Sequence, residues 1–542
     1  MTRIKDTIMH KATCLVATLA AATVLAGCSE DDTKAAGHAR TTLEYASMKD
    51  IRDINPHLYL GEMAAQAMVF EPLVVNTREG VRPHLAEGWD ISPDGLTYTF
   101  HLRRGVRFSD GTPFNAEAVK LNFDAVLANR TRHAWLDLVN AVQSNEVVDE
   151  HTWRLRLRHP YFPTLIELGL SRPFRFVSPR CMRSGSTKDG LSCLAGTGPW
   201  VLAEHKRNQY ALFKANPSYW GTRPKLEAVR WNVLPDPQAI LMALKKGEVD
   251  LVFGADGDQL TSDALTALSR EKKLTVAVSD PIASRAILLN SKRPITGEKA
   301  VREAIQRAVD RRAIVRGVLN DIEAPAPLLF AKNVPYCDIG LQERDFNLDE
   351  ARRLLDSAGW KPGRDGIREK DGRRCEVAFY FNSQNAQERA IAEVVQAQLA
   401  EVGIVVRVIG EEKQAFLDRQ RNGEFDLQYS LSWGAPYDPQ SYFSSWRLPA
   451  HGDYQAQIGL SEKGAIDAGI KRFLRAGDMT ERQAAAREVL TLVHESAVYL
   501  PLSYSRTKAV FRPALKGVGF CVSQYEIPFE RMDFQSAQAA SE

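Results

Sequence analysis

Between Thr97 and Leu102 the chain alternates strictly, with Tyr98, Phe100 and Leu102 on one side and Thr97, Thr99 and His101 on the other. A period of two puts each set on one face of a strand, so the run predicts a half-buried strand. Asp94-Gly95 before it and Asp110-Gly111 after it supply turns, and Asn115 stands where it caps a following helix. Residues 152–158 alternate in the same way and extend the sheet. The second half has another rhythm. Val301, Ala304, Ile305, Ala308 and Val309 recur at helical spacing, and Asn347 with Glu350 forms a capping-box pattern opening a helix over 348–358 that Gly359 closes. Residues 377–381, 387–402 and 404–409 read as strand, helix and strand, with Gly403 ending the helix. Such a βαβ unit predicts a parallel sheet covered by helices. The pattern predicts two α/β lobes, the first carrying an antiparallel insertion.

Length and composition add limits. A chain of 542 residues exceeds what one hydrophobic core organises. At 44% hydrophobic and 25% charged it has a globular composition, and a net charge of +3 gives no footprint for nucleic acid. The N-terminus is more informative. Arg3, Lys5 and Lys11 precede the apolar run ATCLVATLAAATVLAG, which reads as a secretory signal, too short for a transmembrane helix. Leu25-Ala26-Gly27-Cys28 is similar to a bacterial lipobox, so residues 1–27 are expected to be removed, Cys28 acylated, and 28–40 left as a linker to the membrane. The mature protein is then a tethered globule in the periplasm or on the cell surface. Export permits disulfides. Among the later cysteines, proximity suggests Cys181 with Cys193 and Cys337 with Cys375, leaving Cys521 odd, although connectivity does not follow from sequence.

Enzyme signatures are absent from the sequence: no HExxH, GxSxG, P-loop or GxGxxG occurs, and no catalytic residue is assigned. Gly196-Thr197-Gly198-Pro199-Trp200 suits a buried turn better than a phosphate cradle, and none of the 11 His pairs with another at helical ligand spacing. One stretch stands out. WGAPYDPQSYFSSWRLPAHGDYQAQ, residues 433–457, reads as a loop holding two Trp, three Tyr and a single His.

Residues 85–119, LAEGWDISPDGLTYTFHLRRGVRFSDGTPFNAEAV, resemble the hallmark of family 5 extracellular solute-binding proteins, which serve ABC importers. GTGPW at 196–200 and FNLDEARRLLDSAGW at 346–360 repeat later landmarks of that family. The resemblance implies a hinged, two-lobed periplasmic-binding-protein fold of type II, in its large form, with the ligand enclosed between lobes. Lobe 1 is then 41–280 plus 505–535, with an extra antiparallel subdomain at about 75–205, and lobe 2 is 281–504. The implied partners are an importer permease, a small-molecule solute and the membrane through the lipid anchor, with the chain acting as a monomer.

Within the family, residues 55–74, 129–138, 171–176 and the WGAPYDP stretch are similar to the nickel-binding members. That resemblance implies that His451 contacts Ni(2+) from a mobile loop, that Arg132 and Arg172 hold carboxylates of an organic chelator, and that Trp135, Trp433 and Tyr437 form an aromatic wall, with Tyr59 and Met63 nearby. Tyr525 replaces a small hydroxyl residue of those members and is expected to reshape one corner.

The residue types form a coherent kit. One imidazole cannot fill the shell of a first-row metal, so the remaining donors must arrive on a chelator such as histidine or a small polycarboxylate. Its carboxylates need fixed cations, and the guanidinium fork serves better than an ammonium. Each residue also has a plainer reading: Arg132 as a charge at a helix end, Arg172 in a structural ion pair, the aromatics as core. Two other functions compete. Dipeptide binders of the family place an Asp in the WG loop for the peptide ammonium, whereas Gly434-Ala435-Pro436 has no acid before Asp438. An exported metal-dependent hydrolase needs further ligands, of which Asp453 is the only close candidate. Because a ligating imidazole must be neutral, metal affinity is expected to weaken below about pH 6.

Overall fold

The alternating run forms the strand Thr97–Leu102, with Tyr98, Phe100 and Leu102 buried. It pairs antiparallel with Ala86–Ile91 on one side and Thr152–Leu157 on the other, and Val142–Asp149 completes a four-stranded antiparallel sheet. Asn115 caps the helix Ala116–Ala128 by accepting from Ala118 N at 3.0 Å, and Phe123 of that helix packs at a tilt against Trp153 of the sheet with ring centroids 4.8 Å apart. Propensity, cap and apolar face therefore agree here, which is why this part was readable.

These coordinates are a computed structural model, and it describes residues 40–59, 61–254, 259–271 and 273–534. The signal segment expected at 1–27, the acylation expected at Cys28 and the expected linker up to residue 39 lie outside the described residues. Among the described residues no helix is long and apolar enough to cross a membrane.

The antiparallel insert is flanked by two larger mixed sheets. The first, of seven strands, has Thr42–Ser47 at its centre, parallel to both Ala228–Val233 and Leu251–Gly254. The second, of six strands, contains the βαβ unit: Glu376–Asn382 and Val405–Glu411 run parallel, joined by the helix Ala386–Ala400. The expectation of parallel pairing holds only for that unit and its neighbour Leu427–Leu431. Ala283–Leu289 lies antiparallel to both Leu427–Leu431 and Tyr499–Ser505. The reason is topological. The chain enters this sheet through Ala283–Leu289 and leaves it through Tyr499–Ser505, so entry and exit strands lie side by side in opposite senses.

The two passages between the large sheets are bonded to each other. Ser279 N donates to Thr507 O at 2.9 Å, Thr507 N donates to Ser279 Oγ at 2.9 Å, and Ile282 N donates to Ser505 O at 2.9 Å. A two-stranded connection of this kind bends easily across its width and resists shear, as a hinge requires.

The helix Leu348–Ser357 begins where the capping pattern put it, with Asn347 Oδ1 accepting from Glu350 N at 2.9 Å. The Glu350 carboxylate does not complete the box, because Arg353 takes it at 2.8 Å. GTGPW is a buried turn lying on the end of the helix Met63–Val69: a Cβ on Gly196 would stand 1.9 Å from Val69 O.

Cys181 and Cys193 form a disulfide with Cα atoms 4.8 Å apart. The pairing of Cys337 with Cys375 is corrected, since both are free and buried. Cys337 packs in the cluster containing Phe330 and Tyr499, Cys375 in the one containing Trp360 and Val377, so each thiol fills its own core. Cys521 is also free.

The Gly196 contact generates a stability prediction. Gly196→Ala forces a methyl group into backbone and should destabilise the protein by about 1–3 kcal/mol or more. Gly464→Ala, in a helix and with nothing within 4 Å of the added atom, should be neutral or stabilising by up to about 1 kcal/mol. Thermal unfolding of the two variants compares them directly.

Candidate functional site

Three stretches of the first half reach the same place as the aromatic stretch of the second. Tyr59 precedes the helix Met63–Val69, His133 and Trp135 follow the helix Ala116–Ala128, and Arg172 follows the helix Thr164–Leu168. Opposite them, Trp433 and Tyr437 follow the strand Leu427–Leu431. The Trp135 ring meets the Trp433 ring edge-on at 5.0 Å, and Tyr437 lies 6.2 Å from Trp135 and 6.3 Å from Trp433. His451 stands 5.8 Å from Trp433. The core of the insert continues into Tyr437, Tyr442, Phe443 and Trp446, which fixes this wall against the first half.

The stretch expected to be a loop contains two short helices, Gln440–Ser445 and Gly452–Gln457. Every residue of the first is buried, so its aromatics are held by packing that local composition does not reveal. His451 is correspondingly no free-loop residue but the N-cap position of the second helix. Its side chain makes no cap bond, and neither ring nitrogen takes a hydrogen bond from a described residue. Burial pulls its pKa down to about 4.

A hydrogen-bonded chain organises the opposite side. Trp135 Nε1 donates to the Tyr59 hydroxyl at 2.6 Å, and that hydroxyl bonds His133 Nδ1 at 2.5 Å. His133 was not singled out from sequence beyond being a neighbour of Arg132. It is fully buried, and burial first, then the charges of His57, Arg132 and Arg172, hold its pKa at about 3. A neutral ring keeps Nδ1 available as the acceptor for Tyr59. The Tyr59 ring in turn lies 4.5 Å beneath the Arg172 guanidinium carbon, a cation–π contact.

The two arginines of the segment Ser171-Arg172-Pro173-Phe174-Arg175 differ in kind. Arg175 is buried and fully bonded: it pairs with Glu526 and donates to Phe70 O at 2.9 Å and Leu170 O at 3.1 Å. Arg172 has no carboxylate within ion-pair distance among the described residues, and burial lowers its pKa from the ordinary value. The structural ion pair considered for Arg172 belongs to Arg175 instead. Arg132 is exposed, its charge acting on Tyr59 and His133. Met63 opens its helix and lines a separate cavity of about 160 Å³ that also has Tyr525 in its wall. Tyr525 packs edge-on against Tyr437 at 5.7 Å.

Two nearby acids serve the scaffold. Asp438 is buried and accepts from Ser432 Oγ at 2.5 Å and from Gly434 N at 3.0 Å. The turn requires the glycine, because Gly434 has φ +76° and an added Cβ would meet Ile282 Cγ2 at 2.9 Å. Burial pushes the Asp438 carboxyl up to about 7, so at neutral pH it is no fixed anion for a peptide ammonium. Asp453, expected in a turn, lies in the first turn of the helix Gly452–Gln457 and is held by the Tyr442 and Tyr499 hydroxyls at 2.6 and 2.9 Å. Among the described residues no three His, Cys, Asp or Glu side chains converge as a metal cage. His451 thus offers one donor, and any metal held there brings the others with it.

The profile of the bacterial extracellular solute-binding proteins, family 5 Middle, matches residues 80–454. The chain is 40% identical over 486 residues to the nickel-binding periplasmic protein of Escherichia coli, spanning 89% of this chain and 93% of that one. The crystal structure of NikA from Brucella suis in complex with Fe(III)-EDTA is 43% identical, with a TM-score of 0.89 over 91% of this chain and 100% of that one. DppA from Helicobacter pylori in complex with the peptide STSA shares the fold at 21% identity, with a TM-score of 0.77 over 92% of this chain and 99% of that one. The fold alone therefore does not choose between a chelate and a peptide.

The contrast between the arginines is measurable in the ligand-free protein. Arg175→Met should destabilise it by about 3 kcal/mol or more, because it strands Glu526 and two carbonyls. Arg172→Met should leave stability unchanged or raise it, because it removes a half-buried cation with no carboxylate within ion-pair distance among the described residues. Urea unfolding of the two variants checks both signs.

Proposed function

The chain belongs to family 5 of the bacterial extracellular solute-binding proteins, and we propose that it is the receptor of an ABC importer for nickel carried in a small anionic organic chelate. The observation that carries this reading is the pairing of an unbonded, neutral imidazole at His451 with a guanidinium at Arg172 that has no carboxylate partner. The connected rings of Trp433, Trp135 and Tyr59 lie between them. His451 completes the metal shell, Arg172 and Arg132 take the chelator's carboxylates, and Trp135, Trp433 and Tyr437 enclose its body, with Tyr59 holding Arg172 in place. Met63, also assigned to the site from the sequence, lines the adjoining cavity rather than the aromatic wall. The resemblance to the Escherichia coli nickel-binding protein supports the choice of metal.

The ligand is captured and handed on unchanged, so binding energy goes into closing the two lobes, 41–280 with 505–535 against 281–504, over the solute. The mature chain is a monomer anchored by acyl groups on Cys28, exported to the periplasm or cell surface, where it stays near its permease. The peptide-receptor reading is weakened by Asp438, whose carboxyl is bonded within its own turn. The exported-hydrolase reading lacks, among the described residues, the extra donors it needs at His451.

Nickel with L-histidine should bind at least tenfold more tightly than nickel alone by isothermal titration calorimetry. Equal affinities would contradict the proposal. Protons and metal compete for the same imidazole nitrogen, so the contribution of His451 is lost as pH falls through its own pKa. With that value held at about 4 by burial, the contribution should persist at pH 5 and decline about tenfold per unit below pH 4. This replaces the value near pH 6 expected from an ordinary imidazole. The difference between wild type and His451→Ala, which cancels protonation of the chelator, isolates it. The variant should retain residual chelate binding through Arg132 and Arg172.

A further inference from the structure

The cavity of about 160 Å³ beside the aromatic site has walls from both large sheets, Tyr45 and Ser47 on one side and Leu431 on the other. Its lining mixes apolar surface, Trp231 and Met63, with hydrogen-bonding side chains, Gln259 and Gln524, and one charge of each sign, Lys49 and Glu62. That chemistry suits an uncharged, hydrogen-bonding arm better than another carboxylate.

Tyr525 belongs to both spaces. Its ring packs on Tyr437 of the aromatic wall at 5.7 Å and also lines the cavity. Its position is fixed from both flanks. Gln524 Nε2 donates to Trp433 O at 2.9 Å, tying one neighbour to the second half of the chain. Glu526 accepts from Ser171 Oγ at 2.9 Å and pairs with Arg175, tying the other to the first half. Tyr525 N also donates to Ser523 Oγ at 3.2 Å. The segment carrying Tyr525 is therefore held to both halves, and the ring itself rests edge-on against Tyr437.

We propose that Tyr525 is a size-determining residue: it partitions the aromatic site from the adjoining cavity and so excludes chelates whose organic ligand carries an additional polar arm. This rests on the chelate reading above. It predicts that shortening Tyr525 opens the cavity to the aromatic site, so that the arm enters between Met63, Trp231 and the Gln524 amide, whose Nε2 also donates to Trp433 O.

Two nickel complexes that differ by one arm test it: nickel–iminodiacetate, and nickel with iminodiacetate whose nitrogen carries a butanamide chain. Calorimetry gives the ratio of their affinities for each protein. Wild type and Tyr525→Phe should favour the small complex by tenfold or more, and Tyr525→Ser should shift the ratio at least tenfold toward the armed complex. Adding Ala64→Met, which fills the cavity, should reverse that shift. If Tyr525→Ser does not fold, Tyr525→Val carries the same test. A ratio within threefold of wild type, or a shift that survives Ala64→Met, overturns the partition while leaving the chelate reading standing. A wild type that binds neither complex overturns the chelate reading, and the partition with it.

Discussion

A guanidinium largely withdrawn from water, with no carboxylate within ion-pair distance among the described residues, is the constraint around which this site is arranged. Arg172 sits over the Tyr59 ring, a contact too weak to replace full hydration of the cation. The protein tolerates the arrangement because other groups hold it: Tyr59 is fixed by Trp135 and His133, and the segment carrying Arg172 is anchored by Arg175 through two carbonyls and Glu526. On the proposed reading, an anion entering the cleft supplies what the fold withholds, and complex formation is favoured accordingly. On the same reading, His451 across the aromatic wall restricts the anion to one that also presents a metal with a vacant position.

The architecture makes that arrangement switchable. Arg172, Trp135 and Tyr59 belong to the first half of the chain, whereas Trp433, Tyr437 and His451 belong to the second. The passages between the large sheets are a pair of mutually bonded segments. Gln524 and Glu526, bonded to opposite halves, set the floor of the cleft in the structure described.

Much of the fold was legible in the sequence wherever local signals agreed. The Thr97–Leu102 alternation, the Asn115 and Asn347 caps and the βαβ unit all appear as elements because propensity, capping and burial favour the same outcome. What failed was long-range. The antiparallel entry and exit strands of the second sheet follow from chain connectivity, and Cys337 and Cys375 fill different cores although they are sequence neighbours among the cysteines. Residues 440–445 read as loop because their helix is stabilised by burial on all sides rather than by pattern. At the site, residue types were legible but partners were not. Nothing in the sequence separates Arg172 from Arg175, three residues apart, yet one is saturated with bonds and the other is not. His133 was hidden for the same reason: its role lies in the bond to Tyr59, distant in sequence.

The most direct measurement of the central claim is native mass spectrometry of the protein isolated from its own host without chelators in the buffers. The account predicts a bound mass equal to one nickel ion plus a small carboxylate-bearing ligand, lost together on denaturation. Protein carrying a peptide, or nickel with no organic companion, would contradict it.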